Sequence, residues 1–170
     1  MGAREVRAHR RPWTAVLLLT AFGQGCSALP QLVRHSDPLT AEEHVQLGNS
    51  YEEQGLHDRA IEQFQEALHL QKNNAVALNN LAMVYLAAGK DLSKAERWAQ
   101  MALNQGGPLK PYVLDTLATI YIQEHRYPEA RKALDEAARA APTDNKALGD
   151  QLAKSREHLK VRSAAANSGN

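Results

Sequence analysis

The sequence predicts an all-helical chain, folded as stacked helical hairpins closed by a final helix, and three observations carry that prediction. The first is composition. Of 170 residues 44% are apolar but only 5% aromatic, a balance that favours closely packed helices, since strands draw on β-branched and aromatic side chains. The second is internal repetition. Leu47, Leu81 and Leu117 recur at intervals of 34 and 36 residues, and Tyr51, Tyr85 and Tyr121 follow each leucine by four. Ala60, Ala95 and Ala130 recur at 35 and 35, as do Ala67, Ala102 and Ala137. A period near 34 marks helical hairpins that cannot bury an apolar face alone and so stack, about three being needed for stability. The third is the local pattern. Each Leu and Tyr pair shares a helical face at i and i+4, and Gly48, Ala82 or Ala118 beside it lets a second helix approach closely.

The chain opens with "MGAREVRAHRRPWTAVLLLTAFGQGCSALP": a basic region to Arg11, an apolar run from Trp13 to Phe22, then Gly23 and Gly25 before Cys26. About ten apolar residues are too few to cross a hydrocarbon core of roughly 30 Å as a helix, yet sufficient for a secretory signal. Residues 1–25 are therefore expected to be a signal peptide. Cys26, the single cysteine, has no partner for an internal disulfide. Its place directly after Gly25 resembles the bacterial lipoprotein signal, with Gly23 where that pattern has leucine. The resemblance implies lipid on Cys26 as the mature first residue. Cleavage after Ala28, giving a soluble exported protein, and an uncleaved anchor are competing readings. Arg10 and Arg11 before Trp13 match a twin-arginine signal only loosely, and Val6 stands where myristoylation of Gly2 needs Ser or Thr. Residues 26–40 carry two prolines and little periodicity and read as a flexible spacer of roughly 20 Å.

Helices are expected near 41–54, 57–71, 75–88, 91–105, 111–124 and 127–140. Thr40 with Glu43 forms a capping box at the first. Gly55 and Gly89 fall where a left-handed residue ends a helix, and Pro128 suits a first helical turn. Leu148, Leu152 and Leu159 predict a capping helix over 145–162, whereas residues 163–170 lack large apolar groups and are expected to be disordered.

At these residues the chain resembles a tetratricopeptide repeat (TPR) protein. Repeat 41–74 supplies Leu47, Gly48, Tyr51, Ala60, Phe64 and Ala67. Repeat 75–110 gives Leu78, Leu81, Ala82, Tyr85, Ala95 and Ala102, and repeat 111–144 gives Leu114, Leu117, Ala118, Tyr121, Ala130, Leu134, Ala137 and Pro142. The resemblance implies a right-handed superhelical stack over 41–162, with the first helix of each repeat lining a concave groove for a segment of another protein. Position by position, that surface is Glu42, Val45, Asn49 and Glu52, then Val76, Asn79, Asn80, Met83 and Leu86, then Tyr112, Asp115, Thr116, Thr119 and Ile122. Asn49 and Asn80 are the expected polar anchors, with Met83, Leu86, Tyr112 and Ile122 giving apolar contact. Family members that grip an acidic peptide terminus use lysine, asparagine, asparagine, lysine and arginine where this chain has Val45, Asn49, Asn80, Tyr112 and Thr116. With every cation gone, an acidic terminus is not the expected ligand.

Catalytic chemistry finds no candidate. The seven histidines never approach the i, i+4 spacing of a helical metal site, no serine sits in a nucleophile elbow, and no glycine-rich phosphate loop is present. No cofactor and no metal is expected. The net charge of +1 conceals four arginines and one glutamate in residues 1–25, leaving 16 basic and 18 acidic groups in the rest. Such a balance argues against nucleic acid, which needs a basic face. The expected function is a non-enzymatic interaction scaffold of the bacterial cell envelope, lipid-anchored through Cys26 with the repeats in the periplasm. In layout it resembles type IV pilus assembly lipoproteins, which carry about six repeats. The alternative is a structural module that oligomerises and takes no peptide, and the sequence leaves oligomeric state open.

Overall fold

The computed structural model describes residues 38–168. The expected signal peptide, Cys26 and most of the spacer lie outside the described residues. Seven helices follow one another: α1 (Ala41–Glu53), α2 (His57–Leu70), α3 (Ala75–Ala87), α4 (Leu92–Gln105), α5 (Lys110–Gln123), α6 (Tyr127–Ala140) and α7 (Lys146–Ser168), with no strand among the described residues. The first six fall within a residue or two of their expected bounds.

Local chemistry sets the boundaries. The Thr40 hydroxyl accepts the Glu43 N–H at 3.2 Å while the Glu43 carboxylate accepts the Thr40 N–H at 2.8 Å, completing the capping box. That backbone N–H holds the Glu43 carboxyl below its usual range. Asn74, Asp91 and Asn145 cap α3, α4 and α7 by accepting the N–H groups of Ala77, Lys94 and Leu148. After α1 and α3 the chain turns through Gly55 and Gly89, at φ 72° and 60°. The third hairpin makes the same left-handed turn at His125, φ 60°, whose ring Nδ1 lies 2.8 Å from the Tyr127 hydroxyl.

Three apolar clusters follow the repeat. In each, a hairpin shares its core with the first helix of the next unit. Val45 of α1 and Ile61 and Phe64 of α2 pack with Leu81 and Val84 of α3. Leu78 and Ala82 of α3 and the alanines of α4 pack with Val113, Leu117 and Ile120 of α5. Leu114 and Ala118 of α5 and Leu134 of α6 pack with Leu148, Leu152 and Leu159 of α7. So α7 stands where a fourth repeat would begin and covers the apolar face that α5 and α6 would otherwise expose. It runs on to Ser168, beyond the expected end at 162, and residues 163–168 are helical rather than disordered. Ala164, Ala165 and Ala166, the strongest helix formers, extend it with no core beneath.

The close approach at Gly48 answers to one side chain. A Cβ built there would lie 2.5 Å from Cε1 of the fully buried Phe64 ring. Where repeats two and three carry Ala82 and Ala118 instead, the facing helix offers Ala99 and Leu134. The smallest residue thus faces the largest side chain in the first hairpin, as a close-packed interior requires, whereas the second hairpin sets two alanines there. Between hairpins, Arg126 bonds Glu96 of α4, Glu124 and Glu129, and sits 4.3 Å over the Tyr121 ring.

Candidate functional site

The first helices of successive repeats form an inner layer, with α1 against α3, α3 against α5 and α5 against α7. A cavity of about 620 Å³ opens on that layer. Of the residues expected at a binding groove, α3 contributes Asn79, Asn80, Met83 and Leu86, and α5 contributes Tyr112, Asp115, Thr116 and Thr119. Glu52 of α1, Leu109 before α5 and Gln151 of α7 join them, with Ala87 and Gln123. The i, i+3, i+4 spacing of these residues on α3 and α5 places them on one face of each helix.

Five expected residues lie elsewhere. Ile122 is fully buried in the cluster shared by α5, α6 and α7, so it gives no apolar contact in the groove. The reason is α7, whose packing against both α5 and α6 encloses the end of α5 that a free groove would expose. Asn49 does not line the cavity. Its side-chain oxygen accepts from the Asn80 Nδ2 at 2.7 Å, so the two expected anchors tie α1 to α3. Glu42, Val45 and Val76 line a separate, smaller depression beside the turn from α2 to α3.

The cavity's polar groups differ in how they are employed. Thr116 and Thr119 donate their hydroxyls to the carbonyls of Tyr112 and Asp115, four residues back in α5. The Asn79 amide donates to the Met83 sulfur at 3.4 Å. The Tyr112 hydroxyl accepts from Asn145 Nδ2 at 2.9 Å, which anchors the start of α7 to α5. Asp115 is only 6% exposed, and its Oδ2 accepts from Gln151 Nε2 at 2.6 Å. Its Oδ1, and the Oδ1 of Asn79, are out of solvent and have no hydrogen-bond partner. The apolar share of the wall comes from Met83, 39% exposed, with Leu86, Leu109 and the Tyr112 ring.

Sequence reasoning missed Gln151, Asn145 and Leu109. A signal for the first was present: Gln151 stands three residues after Leu148 and one before Leu152, on the side of α7 that those leucines turn toward α5. Among the described residues no group of three or more His, Cys, Asp or Glu is placed to hold a metal ion.

Residues 45–111 match the family model described as tetratricopeptide repeat. No curated protein matches the sequence. Among solved structures, the first TPR of Spaghetti (RPAP3), bound to the HSP90 peptide SRMEEVD, is similar at 21% identity and a TM-score of 0.60, over 71% of this chain and 96% of that one. The Arabidopsis OM64 TPR domain is similar at 19% identity and a TM-score of 0.62, over 71% and 94%. PilF of Pseudomonas aeruginosa is 25% identical with a TM-score of 0.54, the match spanning 76% of this chain and 59% of that one. The seven helices thus have the superhelical helical-hairpin architecture of these domains, and residues 45–111 carry the match to the tetratricopeptide repeat.

Proposed function

We propose that this protein is a non-enzymatic interaction scaffold, and that the cavity on its inner helical layer holds a segment of a partner protein. The observation that carries this is the wall itself. Apolar side chains of Met83, Leu86, Leu109 and Tyr112 stand beside buried polar groups that lack partners, the combination of an orienting site rather than of a solvated helix face. The similar RPAP3 domain holds a peptide, which supports the same use of the fold here. Its acidic peptide is not the model for this chain, in which Val45, Tyr112 and Thr116 replace the cations such recognition needs.

The proposal extends to location. Residues 1–25 export the chain, lipid on Cys26 anchors it, and the repeats work in the periplasm of a bacterial envelope, in the assembly of a pilus or another envelope complex. The basic and apolar start of the sequence, with Cys26 at its end, supports that reading.

A photoreactive residue in place of Met83, on the inner layer, is expected to form covalent adducts with a partner in cells. The same residue in place of Met101, exposed on α4, is expected to form none. Equal labelling from both positions, or labelling only from Met101, would overturn the groove assignment. Incorporation of labelled fatty acid that is the same in the wild type and in Cys26→Ser would overturn the anchor.

A further inference from the structure

The groove reading leaves the partner's chemistry open, and the hydrogen-bond inventory of the cavity narrows it. Five of the wall's side chains have a donor engaged: Thr116 and Thr119 on their own helix, Asn79 on Met83, Asn80 on Asn49, and Gln151 on Asp115, while the Tyr112 hydroxyl accepts from Asn145 and the Gln123 amide also lines the wall. Acceptors remain. Oδ1 of Asp115 and Oδ1 of Asn79 have no partner; both atoms are out of solvent, on wall residues 6% and 5% exposed. Glu52 adds a second carboxylate at the rim, and no lysine, arginine or histidine lines the wall. A buried acceptor left unpaired is costly, and more so when it belongs to a carboxylate. The occupant that satisfies this wall brings donors and positive charge.

We propose that the cavity takes a basic side chain, lysine or arginine, carried by an otherwise apolar segment of the partner protein. The inference rests on the groove reading and specifies it. Lysine and arginine are the side chains that carry several donors and no acceptor. Either lays an aliphatic stem along apolar surface while its head seeks polar partners, and here the stem meets Met83, Leu86 and Leu109 while the head meets Asp115, Asn79 and Glu52. An acidic segment is excluded by the same inventory, because it would set like charge against Asp115 and Glu52 with no cation to receive it.

The test is selection of random dodecapeptides displayed on phage against the immobilised full chain, followed by titration of one selected peptide in two forms and against one protein variant. Enrichment of lysine and arginine over aspartate and glutamate is expected. Replacing the peptide's basic residue with norleucine, which keeps the stem and removes the charge, is expected to weaken binding about tenfold or more, and Asp115→Asn in the protein to weaken the unaltered peptide about as much. The norleucine peptide needs no protein variant, so the proposal stays exposed even if Asp115→Asn folds poorly. Selected peptides that carry no basic preference, or that lose nothing on norleucine replacement, would overturn this inference and leave the groove reading standing. Failure of the full chain to select any peptide would overturn the groove reading, and this inference with it.

Discussion

Gly48→Ala adds a single methyl group at the tightest point between α1 and α2. The new carbon would lie 2.5, 2.8 and 2.9 Å from three atoms of the Phe64 ring, where carbon atoms normally rest about 3.5–4.0 Å apart. The ring must therefore retreat by roughly 1 Å. It is fully buried among Val45, Ala60 and Leu81, so the retreat becomes overpacking, which costs about 1–3 kcal/mol. Against this, alanine in the middle of a helix is favoured over glycine by about 1 kcal/mol. Three clashing ring atoms place the overpacking toward the upper part of its range, and the net loss is about 1–2 kcal/mol, or roughly 4–8 °C in melting temperature for a domain of this size. Thermal and urea denaturation followed by circular dichroism measures it. In a Phe64→Leu background the ring plane is gone, and Gly48→Ala is expected to be neutral or stabilising by about 1 kcal/mol, a coupling that a double-mutant cycle reads directly. If Gly48→Ala raises the melting temperature equally in both backgrounds, the close approach does not determine the identity of residue 48.

Three further perturbations follow from the packing and the charges. Leu152→Ala, at a position 3% exposed in the last cluster, is expected to cost about 2–5 kcal/mol, while Val161→Ala, 56% exposed on the same helix, changes stability by less than about 0.5 kcal/mol; equal effects would deny α7 its role as the closing element. His125→Gly relieves the left-handed turn that costs a non-glycine residue about 1–2 kcal/mol and adds glycine's entropy of about 0.5–1 kcal/mol, a net gain near 0.5 kcal/mol in thermal melts; a clear loss would mean that the contact with Tyr127 outweighs the strain. Glu43, Asp58, Glu129 and Glu136 all have carboxyls held below their usual values, by the Thr40 N–H, Lys90, the start of α6 with Arg126, and Lys110. The folded chain therefore binds fewer protons than the unfolded one, so the stability these groups give is present above the reference values of 3.8 for Asp and 4.5 for Glu and is lost as pH falls through the lower folded values. Melting temperatures should hold between about pH 7 and pH 5 and fall below about pH 4.5, with a smaller fall at high salt because these groups are exposed.

The helical hairpins were legible because their signals are local or strictly periodic. Leu47, Leu81 and Leu117 needed only the repeat interval, and Thr40 with Glu43 needed only three residues of sequence. His125 escaped notice because its place in the turn is set by analogy with Gly55 and Gly89, while its side chain gives no sign of a left-handed backbone. The groove was partly legible. Met83, Leu86 and Tyr112 follow from helical spacing, but whether a residue on that face meets solvent or another helix depends on contacts distant in sequence. Ile122 illustrates the limit: the leucines of α7 were visible, yet nothing local to Ile122 told that α7 would close over it. The pairing of Gln151 with Asp115, 36 residues apart, and of Asn80 with Asn49, 31 apart, likewise belongs to the stack and not to either helix. Even so, α7 leaves the cavity in place, contributing Gln151 to its wall without filling it.

The claim on which the account turns is that the inner layer of α1, α3, α5 and α7 receives another polypeptide. Titration of the isotope-labelled full chain with one of the selected dodecapeptides, followed through backbone amide shifts, tests it most directly. The account predicts that the largest shifts gather at Asn80, Met83, Asp115, Thr119 and Gln151 and that the outer helices α2, α4 and α6 stay quiet. Shifts concentrated on α2 and α4, with the cavity residues unmoved, would contradict it.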